Sequence, residues 1–152
     1  MHQDSIVTEQ RHQKFIKKIC DTEIVYTLEC EEGLATSSSN HYDDEDGEPV
    51  QIICFWSEKA LAKSCIKDGW IDYEVSEMPL SEFMENWCVG MYNDELLIGT
   101  DFDRNMFGFE AEPADLILEL IAELKLKEKE LDFIKFDNLS DLKSQILESK
   151  GL

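Results

Sequence analysis

Four residues of this sequence come nearest to a known metal-binding spacing: Asp101, Asp103, Asn105 and Glu112. They match positions 1, 3, 5 and 12 of a calcium-binding EF-hand loop, where carboxylate and amide oxygens surround the ion. Position 6 of that loop needs glycine for a sharp turn, and Met106 stands there instead. The flanking segments also have the pattern of strands. The spacing therefore predicts a hairpin turn rather than a calcium site.

The cysteine and histidine residues do not form a recognisable catalytic or metal-binding arrangement. Cys65 and Cys88 lie on apolar faces of predicted helices, where a thiol keeps a raised pKa and stays unreactive. His12 stands beside Arg11 and Lys14 on a basic face and is predicted to be an exposed surface histidine. The sequence also lacks phosphate-binding glycine loops, a nucleophile elbow and zinc-ligand spacing. We therefore predict no catalytic residue, no cofactor and no metal ligand, and an enzyme is not the leading interpretation.

Charge is the outlier of the composition, because 34 acidic residues against 14 basic ones give a formal charge of −20. No base occurs between Lys18 and Lys59, and only Arg104 occurs between Lys67 and Lys125. A field of this size repels nucleic acids and acidic membranes and favours partners with a basic surface. Acidity also keeps a small protein soluble, which is the simpler interpretation.

Two segments are candidates for an interaction surface. The first is an acidic loop, predicted to be mobile over residues 40–47, which offers at most a weak site for a divalent cation. The second is a group of Trp and Tyr side chains with nearby carboxylates on a predicted strand over residues 70–75. These aromatic residues either fill the core or line a cleft for a peptide, a protein or a small molecule. The candidate residues are Asp43, Asp44, Glu45, Asp46, Trp70, Asp72, Tyr73 and Glu74.

The apolar periodicity predicts an α+β fold with a single mixed, mostly antiparallel sheet of about five to six strands and helices packed on it. The nearly all-apolar segment 50–56 predicts a central strand covered on both faces. Ser57 is predicted to be the N-cap of the helix that follows it. Further strands are predicted over 24–30, 34–38, 70–75, 96–102 and 106–110, and helices over 5–20, 57–69, 81–91, 113–129 and 140–150.

The chain is predicted to be one domain over residues 1–152, with a core over 5–124 and a helical extension over 125–152. The apolar residues of the extension predict that it packs on its own domain, with a two-fold homodimer as the alternative to a monomer. The chain has no secretory signal and no apolar run long enough to span a bilayer, and its five cysteines lack a C-x-x-C pair. These features predict a cytoplasmic protein with reduced thiols.

Several segments in a fixed order resemble a known family. Residues 53–57 (Ile-Cys-Phe-Trp-Ser) are followed by 69–73 (Gly-Trp-Ile-Asp-Tyr), by 78–83 (Met-Pro-Leu-Ser-Glu-Phe) and by the hairpin over 96–109. This order resembles the small bacterial family catalogued as domain of unknown function 2750, over roughly residues 10–124. The family has no established activity, so the resemblance implies a fold and a bacterial cytoplasmic setting and transfers no catalytic residue. The acidic insert near Tyr42 to Glu48 and the charged extension after Lys125 depart from the family pattern.

The small size, the segregated acidity and the lack of a catalytic set favour a non-enzymatic protein-binding or regulatory module. Its most specific form is an immunity-type inhibitor whose acidic face meets a basic partner such as a nuclease, without nucleic acid or membrane as partners. The alternative is a small-molecule-binding domain or an enzyme that uses a Trp/Tyr-lined cleft with Asp72 or Glu74 nearby.

Overall fold

The fold is given by a computed structural model, which describes the backbone of residues 2–151 and the side chains of residues 6–151. Over these residues the predicted α+β class is confirmed, with four consecutive strands after the first helix and two consecutive helices at the end. A short 3₁₀ helix follows α2, and a π-helical segment joins α3 to α4. The elements are α1 (His2–Thr22), β1 (Ile24–Cys30), β2 (Gly33–Leu34), β3 (Thr36–Asp43), β4 (Pro49–Trp56), α2 (Lys59–Ser64), the 3₁₀ helix (Asp68–Trp70), β5 (Glu74–Pro79), α3 (Leu80–Glu82), the π-helix (Phe83–Cys88), α4 (Val89–Asn93), β6 (Leu97–Thr100), β7 (Phe109–Ala111), α5 (Pro113–Leu126) and α6 (Leu139–Ser149).

The described strands form one mixed sheet of seven strands, mostly antiparallel. Strand β1 pairs with β5 on one side, and on the other side it pairs with β2 and then with β4. Strand β3 pairs with β4, and β7 closes the far edge against β6. Among the described strands, β4 and β6 are the parallel pair, with Phe55 opposite Thr100. The carboxyl ends of these two strands therefore lie side by side.

Strand β4 alternates between two hydrophobic cores, as the prediction of a strand covered on both faces requires. Ile53 and Phe55 face the main core, which is formed with α1, the helical segment over residues 80–93, α5 and α6. Ile52, Cys54 and Trp56 face a smaller core on the other side of the sheet, beneath α2 and the 3₁₀ helix. A strand with apolar residues on both faces has to be central, because each face needs a cover.

Several predicted elements have different bounds in the structure: the predicted helix over 57–69 is shorter, and the predicted strand over 106–110 begins at Phe109. The predicted strand over 70–75 is wrong for its first four residues, because Trp70 ends a 3₁₀ helix and β5 begins at Glu74. The segment predicted to be a loop from residue 40 begins inside β3, which continues to Asp43. Strand β3 is almost entirely polar, so it lacks the apolar alternation by which a strand is recognised in a sequence.

The C-terminal extension packs on the rest of its own chain, as expected. Leu131, Leu139, Leu142 and Ile146 are buried in the main core. The carboxylate of Glu85, which is 4% exposed, accepts hydrogen bonds from the backbone N–H groups of the extension at residues 134 and 135 (2.8–3.2 Å). Apolar burial and a buried carboxylate together hold this segment in place.

Candidate functional site

The predicted interaction residues lie at one end of the sheet, which we call the acidic end. Register places Glu74 of β5 opposite Glu29 of β1, just before the β1–β2 turn. Asp43 pairs with Pro49 at the start of β4, just before the β3–β4 turn. Because β1 runs antiparallel to β4, both turns lie toward the amino end of β4. The fold therefore brings the two predicted acidic segments to the same end of the sheet.

Tyr73 lies in a groove of about 880 Å³ at this end, which we call the Tyr73 groove. Tyr73 and Cys30 are partly buried, and the carboxylates around them are exposed. The Cys30 thiol lies beside the Tyr73 hydroxyl and raises the pKa of Tyr73. The described residues that line the groove include no lysine and no arginine; they are Glu29, Cys30, Glu31, Glu32, Gly69, Asp72, Tyr73 and Glu74.

Trp70 does not share the groove with Tyr73. Its side chain is 9% exposed and packs edge-to-face against Trp56, with ring centroids 6.0 Å apart. The indole N–H of Trp56 donates to the carbonyl oxygen of Phe102 (2.8 Å), which satisfies a buried donor. The sequence left open whether these aromatic residues fill the core or line a cleft. Trp70 fills the core, and Tyr73 lines the groove.

The acidic loop forms an ordered turn around Asp44. The side-chain oxygen Oδ1 of Asp44 accepts hydrogen bonds from the backbone N–H groups of Asp46 (2.9 Å) and Glu48 (3.0 Å), and Gly47 has a φ of 80°. Asp43, Asp44, Glu45 and Asp46 are all exposed. Across the described residues, no group of three His, Cys, Asp or Glu side chains has the arrangement of a metal site.

A second concave surface, which we call the basic cleft, lies at the opposite end of the sheet. It has a volume of about 680 Å³ and is formed by α1, the carboxyl ends of β4 and β6, and the end of α5. Its lining residues are Arg11, Lys14, Lys17, Lys18, Asp21, Ser57, Glu58, Leu61, Asp101, Asp103 and Lys127.

Ser57 and Asp101 form the inner wall of the basic cleft. The backbone N–H of Ser57 donates to Asp101 Oδ1 (2.7 Å), and its hydroxyl donates to Oδ2 (2.8 Å). Burial raises the pKa of Asp101, and the two hydrogen bonds from Ser57 offset part of that rise. The predicted N-cap role of Ser57 is therefore wrong: the N-cap position is Glu58, and the Ser57 hydroxyl is committed to Asp101.

Arg11 crosses the mouth of the cleft. Its guanidinium lies 3.1 Å from Asp103 Oδ2 and donates to the carbonyl oxygen of Phe107 (3.0 Å). Asp103 Oδ1 in turn accepts the backbone N–H groups of Asn105 and Phe107 (2.9 and 3.1 Å). The segment that resembled a calcium loop is thus a turn built on the Asp103 side chain, as the hairpin interpretation predicted.

His12 is buried, so its predicted exposure is wrong. Only 1% of its surface is exposed, and its ring stacks on Phe109 with centroids 4.1 Å apart. Its ring nitrogens lie 2.9 Å from Thr100 Oγ1 and 3.1 Å from Glu119 Oε1. The basic neighbours of His12 suggested an exposed face. Helical spacing from His12 to Phe15 and Ile19 was the signal that it shares their buried stripe.

The cysteines have the environment predicted for them. Among the described residues all five are free; Cys20, Cys54, Cys65 and Cys88 are buried, and Cys30 is partly buried. Burial raises the pKa of Cys20 to about 12 and also raises the pKa of Cys54, Cys65 and Cys88. These thiols are protonated at neutral pH and are poor nucleophiles.

Comparison with known proteins identifies the family. Neither the curated proteins nor the solved structures contain a significant match to this chain. Across the described residues, no helix combines the length and the apolar composition needed to cross a bilayer. A family model described as protein of unknown function (DUF2750) matches residues 12–120, which include α1 from His12, the whole sheet and most of α5. Since this match covers more than half of the chain, the protein belongs to the DUF2750 family.

Proposed function

We propose that this protein is a non-enzymatic binding module that uses the acidic end of its sheet to hold a partner protein with a basic surface. The observation that carries the proposal is the Tyr73 groove. It is concave, it has a partly buried tyrosine at its centre, and its charged lining residues are all carboxylates. An immunity-type inhibitor of a basic enzyme, such as a nuclease in a bacterial cytoplasm, is the most specific form of this proposal.

The charges of the groove are not neutralised by any side chain that the structure describes. None of the ion pairs among the described residues includes Glu29, Glu31, Glu32, Asp72 or Glu74. Exposed carboxylates this close together repel one another, and a lysine- or arginine-rich surface relieves that repulsion on binding. Their common field also accelerates the encounter with a cationic partner.

The groove also contains features that hold a partner after the encounter. Tyr73 offers a large amphipathic surface, the type of side chain that often dominates binding energy at protein interfaces. Strand β5, which begins beside Tyr73, pairs with β1 alone among the described strands. Its other edge pairs with no described strand, so we propose that an extended segment of the partner adds to it.

The alternative of a small molecule held between Trp70 and Tyr73 has less support. Trp70 packs in the core against Trp56, and it borders a separate groove of about 240 Å³. Tyr73 is not among the residues that line that smaller groove. The two aromatic rings therefore do not face each other across one ligand-sized cleft.

The test is to cross-link the protein in its native cells, identify the captured partner by mass spectrometry, and measure its affinity by calorimetry. We compare the double variant Glu31→Gln/Glu74→Gln with Glu9→Gln/Glu130→Gln, which removes the same charge at exposed positions outside the groove. The groove variant should raise the dissociation constant about tenfold or more, and the control should change it less than about twofold. Equal weakening by both variants, or a partner with an acidic surface, would refute the proposal.

A further inference from the structure

The basic cleft carries charge of the opposite sign to that of the protein as a whole. The chain has 14 basic residues and a formal charge of −20, yet bases outnumber acids in this cleft. The acidic lining residues are Asp21, Glu58, Asp101 and Asp103, and the basic ones are Arg11, Lys14, Lys17, Lys18 and Lys127. Positive side chains from two helices therefore converge on one concave surface of an otherwise acidic molecule.

Lys14 and Lys17 contribute charge that none of the described carboxylates neutralises. Both side chains are exposed on α1. Among the described residues, neither forms an ion pair. Their ammonium groups are therefore free to contact a bound anion.

Two further lysines have partners that they can exchange at little cost. Lys18 lies 4.0 Å from Glu58, and Lys127 lies 3.9 Å from Asp21 and 3.7 Å from Glu123. The carboxylates of Glu58 and Asp21 are 59% and 70% exposed. Long ion pairs to exposed carboxylates such as these two contribute little to stability, whereas Glu123, which is 17% exposed, is the less accessible partner of Lys127. A ligand with several negative charges can therefore displace them.

The spacing of the cations fits a ligand charged at more than one point. Arg11, Lys14 and Lys18 occupy helical positions i, i+3 and i+7, so their stems rise along one face of α1 over about 10 Å. The cleft volume of about 680 Å³ lies within the range of sites that hold small molecules. The carboxyl ends of adjacent parallel strands, here β4 and β6, are also where open sheets commonly bind ligands.

We propose that the basic cleft binds a small phosphorylated molecule that also carries hydroxyl groups, such as a sugar phosphate or a nucleoside phosphate. Arg11 donates from Nη1 to Asp103 and Phe107, so it contacts a phosphate through its other N–H groups, and the lysines supply point charges along the ligand. At the inner wall, Asp101 accepts two hydrogen bonds from Ser57 and still has free lone pairs. A ligand hydroxyl can donate to those lone pairs while its phosphates stay at the cationic rim.

The charge of the rest of the chain limits the ligand to a small size. At physiological ionic strength charges act over a Debye length of about 8 Å, so a ligand that stays inside the cleft interacts mainly with its cations. A nucleic acid would extend past the cleft and meet the carboxylates outside it, which repel its phosphates. Repulsion by these carboxylates therefore disfavours a nucleic acid, although its phosphates have the same chemistry as those of a small ligand.

The test is a titration of the ¹⁵N-labelled full chain with inorganic pyrophosphate, followed by amide chemical shifts at constant ionic strength. We expect saturable shifts at Arg11, Lys14 and Lys18, the rim residues that contact phosphate, and weaker binding of citrate, which carries similar charge on carboxylates. The variant Lys14→Gln/Lys18→Gln should raise the dissociation constant about tenfold or more. The matched variant Lys59→Gln/Lys63→Gln removes two exposed lysines of α2 outside the cleft and should leave binding within about twofold.

Three outcomes would overturn this assignment. An absence of saturable shifts with pyrophosphate would remove the anion site altogether. Citrate binding as tightly as pyrophosphate would show a general attraction of anions and contradict the phosphate assignment. Equal weakening by the two lysine variants would show that net charge, rather than the cleft, determines binding. Circular dichroism spectra of both variants establish that each is folded before its titration is interpreted.

Discussion

Ser57 and Asp101 are joined by two hydrogen bonds that link the ends of the parallel strands β4 and β6. One runs from the Ser57 backbone N–H (2.7 Å) and the other from its hydroxyl (2.8 Å). Asp101 has a φ of 48°, in the left-handed region that Asp and Asn tolerate better than most residues. This pair fixes the course of the chain after both strands, and it forms the inner wall of the basic cleft.

Replacing Asp101 tests this link. Asp101→Ala should lower the free energy of unfolding by about 1–3 kcal/mol, because the buried N–H of Ser57 loses its acceptor. Asp101→Asn should cost less, since its amide oxygen still accepts that N–H and asparagine tolerates the left-handed conformation. Urea unfolding at neutral pH measures both values. A loss in Asp101→Asn as large as that in Asp101→Ala would contradict the assigned hydrogen bonds.

The pH dependence of the same pair has a defined sign. Burial raises the pKa of Asp101 above the ordinary value of 3.8, so the folded protein holds this proton more tightly than the unfolded chain. Ionisation of Asp101 therefore lowers stability as pH rises from the unfolded pKa through the folded one. The stability of the wild type minus that of Asp101→Asn should fall with rising pH and then level off. Urea unfolding of both proteins between about pH 4.5 and pH 8 measures this stability difference. An increase of the difference with pH would show that the pKa of Asp101 is lowered instead.

His12 is expected to stabilise the packing of α1 on the sheet. His12→Ala removes a ring that stacks on Phe109 and leaves Thr100 Oγ1 without its buried partner. The expected loss is about 2–4 kcal/mol, from the cavity together with the lost hydrogen bond. Gln13→Ala is the matched control, because the neighbouring side chain is exposed and its loss should change stability by less than about 0.5 kcal/mol. Thermal unfolding of both variants gives the comparison, and similar effects would place His12 outside the core.

The sequence predicts the local features of this fold better than its long-range contacts. The run over 50–56 predicted a central strand because both faces of β4 are apolar, and Pro113 at the start of α5 matched a common helix-start position. The partners of His12 and Ser57, Thr100 and Asp101, lie 88 and 44 residues further along the chain, and local periodicity contains no information about such partners. The burial of His12 was readable from its helical spacing to Phe15, but its basic neighbours outweighed that signal.

The candidate sites show the same contrast between local features, which the sequence predicts, and long-range contacts, which it does not. Clustering of acids along the chain predicted the two acidic segments, but their position at the same end of the sheet follows from strand pairing and was not predicted. The basic cleft was not foreseen, because Lys127 reaches the lysines of α1 only after α5 packs against that helix. The lysine stripe on α1 was visible in the sequence as a basic face, but a single helix face does not define a cavity.

Thiol reactivity should single out Cys30. It is partly buried in the Tyr73 groove, whereas the other four cysteines are buried in the cores. Iodoacetamide at mildly alkaline pH should therefore add one carbamidomethyl group to the native protein, and peptide mass spectrometry should locate it at Cys30. Cys30→Ser should abolish this rapid reaction while unfolded protein still reacts at the remaining thiols. Rapid labelling of Cys54 or Cys88 in native protein would contradict the packing of the cores.

Glu85 should control how tightly the C-terminal extension is held. Glu85→Ala removes the acceptor of the backbone N–H groups of Ile134 and Lys135 and should lower stability by about 2–4 kcal/mol. Hydrogen exchange at these two amides should accelerate more than exchange in β4. Glu82→Ala, an exposed glutamate one turn earlier, is the control and should change stability by less than about 0.5 kcal/mol. Unchanged protection at residues 134 and 135 in Glu85→Ala would rule out the anchoring role.

Gly108 and Gly90 should respond to alanine with opposite signs. A Cβ atom at Gly108 would clash with the ring of Phe102, which is 3% exposed and has little room to move, whereas a Cβ at Gly90 would meet no atom within 4 Å. Gly108→Ala should therefore cost about 1–3 kcal/mol through overpacking. Gly90 lies in α4, where alanine is the better helix former, so Gly90→Ala should stabilise by about 0.5–1 kcal/mol. Differential scanning calorimetry should show a lowered Tm for the first variant and a raised Tm for the second. A Tm of Gly108→Ala above that of the wild type would show that the Phe102 ring does not pack against Gly108.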